Sequence, residues 1–101
     1  MSHVLDDLTD HTRAHALLLL AHVPDLTLSS GRRSARRNRR AGGSPRSFHL
    51  SGRAVDFVGP PAALRKGAAE AKRLRVGERC TGPEEVLIHD AGSGIHLHVA
   101  W

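Results

Sequence analysis

Two histidines stand two positions apart near the end of the chain, in the apolar run Ile95-His96-Leu97-His98-Val99-Ala100-Trp101. On a β-strand, side chains alternate, so both imidazoles leave the sheet on one face. Such a pair fits a metal or proton-handling site, and it also fits a merely polar strand face. A second segment, Ser47-Phe48-His49-Leu50-Ser51-Gly52-Arg53-Ala54-Val55-Asp56, sets a His and an Asp seven residues apart. Asp56 interrupts an apolar run and takes the face opposite Val55 and Phe57. A carboxylate buried there needs a cation or several donors. A salt bridge to Arg53 or an Asx turn would satisfy it as well. The small residues Gly52 and Ala54 suit a backbone that passes close to a site.

Two imidazoles and one carboxylate are the ligand set of a catalytic zinc centre. Three protein ligands leave one tetrahedral position open to water, whose pKa zinc brings down to about 7. A further histidine beside such a metal can take or hand on a proton.

In these segments the chain resembles the zinc D-Ala-D-Ala carboxypeptidases and peptidoglycan endopeptidases, whose fold is shared with the hedgehog signalling domain. The family pattern Ser-x-His-x-x-Gly-x-Ala-x-Asp is met by Ser47, His49, Gly52, Ala54 and Asp56, and the closing His-x-His by His96-Leu97-His98. An upstream Ser-Gly-x-Arg-Ser segment followed by Asn is met by Ser30-Gly31-Arg32-Arg33-Ser34 and Asn38. The likeness runs from about Pro24 to Trp101. It implies His49, Asp56 and His98 as zinc ligands. It implies Arg33 as the group that holds a substrate carboxylate or carbonyl, through the planar fork of a guanidinium. His96 is implied as general base or transition-state stabiliser, as in the endopeptidase branch. One position departs from the pattern. Many carboxypeptidase members carry a catalytic Glu three residues before the last zinc His, where this chain has Ile95. Glu84, Glu85 and His89 are candidates to reach the site from a neighbouring strand.

The elements that must position these groups can be read coarsely. Residues 4–22 carry roughly helical apolar spacing through Leu5, Leu8, Leu17, Leu20 and Ala21, stopped by Pro24. Residues 26–29 alternate as a short strand, and Ser34 could cap a short helix that ends at Gly42-Gly43. Residues 54–58 read as a strand, 62–74 as a helix, 85–89 as a strand and 95–101 as its hairpin partner across a turn at 90–94. The expectation is one α+β domain over residues 1–101, with helices packed on a mainly antiparallel sheet, hedgehog/DD-peptidase-like.

Composition bounds the function. A chain of 101 residues holds one small core and gains from a bound metal. Only Phe48, Phe57 and Trp101 are aromatic, which counts against a stacking surface for bases or sugars. The net charge is +5, with Arg32, Arg33, Arg36, Arg37, Arg39 and Arg40 crowded together. That patch attracts polyanions or is simply a solvated Arg-rich stretch that includes Arg33. A basic nucleic-acid module would leave residues 47–56 unexplained, so nucleic acid is not the expected partner. Cys80 alone cannot close an internal disulfide and reads as structural or incidental. The acidic start MSHVLDDLTD lacks the features of a secretory signal, and Leu17-Leu18-Leu19-Leu20 is too short to span a bilayer. His3, His11, His15 and His22 read as surface histidines, Asp90 as a turn cap, Ser47 as a turn or supporting residue, and Trp101 as packing on the sheet. The expected activity is zinc-dependent cleavage of a peptide bond in a peptidoglycan stem peptide. It follows synthesis in the cytoplasm, with action at the cell wall or from a phage virion. The alternative is a structural component of a phage particle, in contact with other virion proteins, that keeps fold and metal site.

Overall fold

The structure is a computed structural model that describes residues 8–30, 52–76, 82–90 and 94–101. The first helix among the described residues, α1, spans Asp10–His22, and Leu8 and Thr9 just ahead of it are not helical, so the helix expected over 4–22 does not run unbroken. Thr9 sets its start: the Thr9 hydroxyl accepts from the Thr12 N–H at 3.2 Å and donates to Thr12 Oγ1 at 2.9 Å. The buried face also differs from the expected one. Thr12, His15, Ala16 and Leu19 point inward, whereas Leu17 is 48% exposed. Leu17 lies between the Ala16 and Leu19 positions of an i, i+3, i+4, i+7 stripe, so the four-leucine run straddles the face instead of defining it.

The second helix, α2, spans Pro61–Arg73, with Pro60 as its cap and Pro61 at the first helical position. Proline is well placed there, because that N–H would have no intrahelical partner. Lys72 and Arg73 close the helix against its negative end. Gly67 lets α2 come down on the sheet: a Cβ there would lie 2.8 Å from both Leu26 Cδ1 and Leu97 Cδ2.

The four strands are β1 Thr27–Ser30, β2 Ala54–Val58, β3 Glu85–Asp90 and β4 Ile95–Ala100. They form one sheet in the order β1-β2-β4-β3, with every neighbouring pair antiparallel. The α+β expectation therefore holds, with two helices on a four-stranded antiparallel sheet among the described residues. The short helix expected after Ser34 lies outside them, as do Leu5, the Arg-rich stretch and Cys80.

Alternation sorts the two inner strands into two faces. Val55 and Phe57 of β2 pair with Val99 and Leu97 of β4, and all four are fully buried. They form the core with Ala16 and Leu19 of α1 and Ala63, Leu64 and Ala71 of α2. Each large side chain there, Phe57 or Leu97, contributes roughly 1.5–3 kcal/mol of burial. The helices cover this face, so the residues of opposite parity, Asp56, His96 and His98, emerge on the other.

A histidine also enters the core. His15 is 1% exposed, contrary to its reading as a surface residue. Its Nδ1–H donates to the His11 carbonyl at 2.8 Å, and its Nε2 accepts from the Val76 N–H at 3.0 Å. Both nitrogens are thus used, and the ring ties α1 to the segment after α2. Its centroid is 5.3 Å from that of the buried Trp101, which packs as expected.

Candidate metal centre

Asp56 and His98 are direct cross-strand partners on β2 and β4. Opposed residues on one face have Cβ atoms about 5 Å apart, close enough for short polar side chains to meet. Here they do: Asp56 Oδ1 and His98 Nδ1 lie 3.2 Å apart. Asp56 is 4% exposed, and His96 and His98 are 8% exposed each. The carboxylate is therefore buried opposite Val55 and Phe57, as its place in the strand implied. His96, two residues from His98, brings Nε2 to 3.9 Å from the same Oδ1.

Arg53 does not serve as the bland partner for this carboxylate. Its Nε donates to the Trp101 carbonyl at 2.9 Å, and its guanidinium approaches Glu84 at 4.0 Å. The Trp101 N–H donates back to the Arg53 carbonyl at 2.9 Å, which anchors the end of β4 beside β2. Gly52, the glycine of the motif, has φ of 72°, and its carbonyl accepts the Thr9 N–H at 3.0 Å. A side chain disfavours that left-handed conformation, which explains the small residue at the turn into β2.

On the other side, β1 breaks register against β2 between Leu28 and Ser30, and Ser30 lies opposite Asp56. The Ser29 hydroxyl donates to the Asp56 carbonyl at 3.2 Å. Bulges of this kind re-aim backbone next to functional sites.

β3 supplies two groups that the sequence named without placing. Glu85 Oε1 lies 2.9 Å from His98 Nε2. His89 is the cross-strand partner of His96, their ring centroids 4.4 Å apart, and lies 6.3 Å from His98. Glu84 instead faces Arg53, and its backbone N–H donates to the Ala100 carbonyl. Asp90 caps the hairpin as expected, its Oδ1 accepting the Gly94 N–H at 3.2 Å. The only signal that could have selected Glu85 is its parity with Leu87 and His89, and that signal needs the hairpin register, which sequence alone does not fix.

The electrostatics follow from this packing. Burial lowers the pKa of His98, but hydrogen bonds to Asp56 and Glu85 and the charges of both carboxylates outweigh it and raise the imidazole above its ordinary value. Burial, and then the charges of His96 and His98, hold His89 below its ordinary value against the opposing pull of Asp56 and Asp90. Without a metal, the space between Asp56 and His98 Nδ1 suits a proton; the same two atoms suit a cation. Two ligands on one tetrahedral zinc with bonds of about 2.0 Å stand about 3.3 Å apart, close to the observed 3.2 Å. An anionic oxygen and an imidazole nitrogen are also the donor types zinc takes.

Of the five expected site residues, the structure brings Asp56, His96 and His98 together. His49 and Arg33 lie outside the described residues. Among the described residues no group of three His, Cys, Asp or Glu side chains converges as a complete metal site. Asp56 and His98 form a buried carboxylate–imidazole corner. Nor is any described helix long and apolar enough to cross a membrane.

A family profile described as Peptidase M15 matches residues 11–97. No curated protein and no solved structure matches the chain.

Proposed function

Since the chain belongs to the peptidase M15 family, we propose that it is a zinc-dependent peptidase that hydrolyses a peptide bond in the stem peptide of bacterial peptidoglycan. The observation that carries this reading is the buried Asp56–His98 corner, with a 3.2 Å separation between one oxygen and one nitrogen. Asp56 and His98 would hold the ion, and His49, seven residues before Asp56, would complete the ligand set. Zinc when bound polarises a carbonyl and makes water nucleophilic at neutral pH.

The chain's own groups would do the rest. The Nδ1–H of His96 points to the Gly94 carbonyl at 3.3 Å, so the neutral ring carries its lone pair on Nε2, the nitrogen that faces Asp56. That nitrogen can take a proton and return it to the leaving amine. Arg33 would pair with a carboxylate or carbonyl of the substrate, which suits a stem peptide ending in a free carboxyl group. Position 95, where many relatives of the resembled family place a carboxylate, is an exposed Ile95, and in this reading His96 would carry the proton instead.

The test is turnover. Zinc-loaded protein is incubated with purified peptidoglycan fragments, and new termini are followed by mass spectrometry. Release of stem-peptide products that stops on chelation, and returns with zinc, is expected. A fully zinc-loaded protein that cleaves none of these fragments would refute the reading. Ile95 favours a second reading, a component of a phage particle that keeps the corner without the chemistry. Its mark would be fixed stoichiometry in purified virions together with absent hydrolysis.

A further inference from the structure

The imidazole of His98 is held at both nitrogens, by Asp56 at Nδ1 and by Glu85 at Nε2. Both nitrogens face a carboxylate, but Asp56 is buried and has His96 Nε2 3.9 Å from the same oxygen, whereas the Glu85 side chain is 40% exposed, so the proposed metal is assigned to Nδ1. Nε2 then keeps its proton and donates it to Glu85. We propose that Glu85 is the positioning residue of this site, fixing the tautomer and the ring angle of His98 so that the Nδ1 lone pair faces Asp56. The proposal rests on the zinc reading above and deepens it.

Three observations place Glu85 in this role. First, the contact is within normal hydrogen-bond distance, 2.9 Å, and links an acceptor-only carboxylate to a ring nitrogen. Second, Glu85 comes from β3, a different strand from either Asp56 or His98, so the ring is fixed from both sides of β4. Third, the direct cross-strand partner of Glu85 is Ala100, whose methyl group is too small to block the diagonal to His98. A carboxylate behind a ligating histidine raises its basicity and locks its orientation. The same geometry removes Glu85 from the chemistry. It binds the nitrogen on the far side of the ring from the Asp56 corner, so it does not replace the carboxylate missing at position 95.

The experiment measures metal affinity. Apo protein is titrated with Zn2+ against a chromophoric chelator, for wild type, Glu85→Gln and Glu85→Ala. Co2+ absorption spectra are recorded in parallel. Loss of such a supporting carboxylate weakens metal binding about 10–100-fold, and Glu85→Ala is expected in that range with an altered Co2+ spectrum. Glu85→Gln keeps an oxygen that can accept the Nε2–H, so most of the affinity and the wild-type spectrum should return. The Glu85 side chain is 40% exposed, and melting of the apo variants checks that both fold. Equal affinity in wild type and Glu85→Ala overturns the proposal while leaving the zinc reading intact. So does a Glu85→Gln protein no tighter than Glu85→Ala, which would reduce the effect to charge. A wild type that takes up no zinc overturns the zinc reading itself.

Discussion

The substitution Asp56→Asn separates charge from shape at the corner. Asparagine has nearly the same volume, and its amide oxygen can still accept the His98 Nδ1–H across the 3.2 Å gap. In the metal-free protein only the charge-assisted part of that bond is lost. A hydrogen bond to a charged group is worth about 1.5–3 kcal/mol and a neutral one about 0.5–1.5, so apo stability should fall by about 1–1.5 kcal/mol. Zinc binding should respond more strongly. Four-ligand structural sites bind with about 10–16 kcal/mol, or about 2.5–4 per ligand. Losing the anionic ligand therefore weakens zinc roughly 10²–10³-fold, at 1.36 kcal/mol per decade. Chelator competition reads the affinity, and urea unfolding of the apo forms reads the stability. A variant that holds zinc as tightly as wild type would refute the assignment of Asp56, since its carboxylate would then be only the partner of an imidazolium.

Three further outcomes are expected. His15→Gln should lower stability by roughly 1–3 kcal/mol, since the bonds to His11 and Val76 are lost or misaligned. It should also change the pH profile. Burial, against the pull of the His11 carbonyl and aided by the charges of His11 and Arg75, holds His15 below its ordinary pKa. Its contribution is complete above roughly pH 6.5 and is lost as pH falls from there through the lowered folded value. His98 of the metal-free protein acts in the opposite sense, its raised value giving stability below that point that is lost as pH rises. The difference between wild-type and His15→Gln melts across pH 4–8 isolates the first effect, and a flat difference would contradict it. Gly52→Ala should cost about 1–2 kcal/mol for forcing a side chain into the left-handed region at φ of 72°, read by thermal melting. His96→Ala should keep zinc, because His96 is not among the proposed ligands, yet slow turnover of peptidoglycan fragments roughly 10²–10⁴-fold. A chelator titration and a rate assay on one preparation check both halves.

What the sequence revealed and what it hid follow from the range of the forces involved. Strand β2 was readable to the residue because Val55 and Phe57 alternate with Asp56 between a glycine turn and a proline stop, all local signals. The shared face of His96 and His98 needed only strand parity. The start of α1 was misplaced because the Thr9 cap is a local event hidden under a longer apolar run. Its buried face was misread because packing against α2 and β2 favours Thr12 and His15 over Leu17. His15 is polar by type, and its burial draws on the Val76 N–H, 61 residues away, as well as on the local His11 carbonyl. Glu85 and His89 depended on the register of a hairpin, where a slip of one residue would send both to the opposite face.

Asp56 and His98 sit on the two inner strands, each laddered to a neighbour on either side. Moving one relative to the other would mean unzipping backbone pairs on both flanks, so the corner behaves as a preformed socket rather than a pair of jaws. The ordering entropy of bringing these two donors together is met when the chain folds, not when an ion arrives. An ion bound there, as proposed, would meet the same two atoms on each return, and its exchange would depend on the remaining ligand and on water rather than on rearrangement of the sheet.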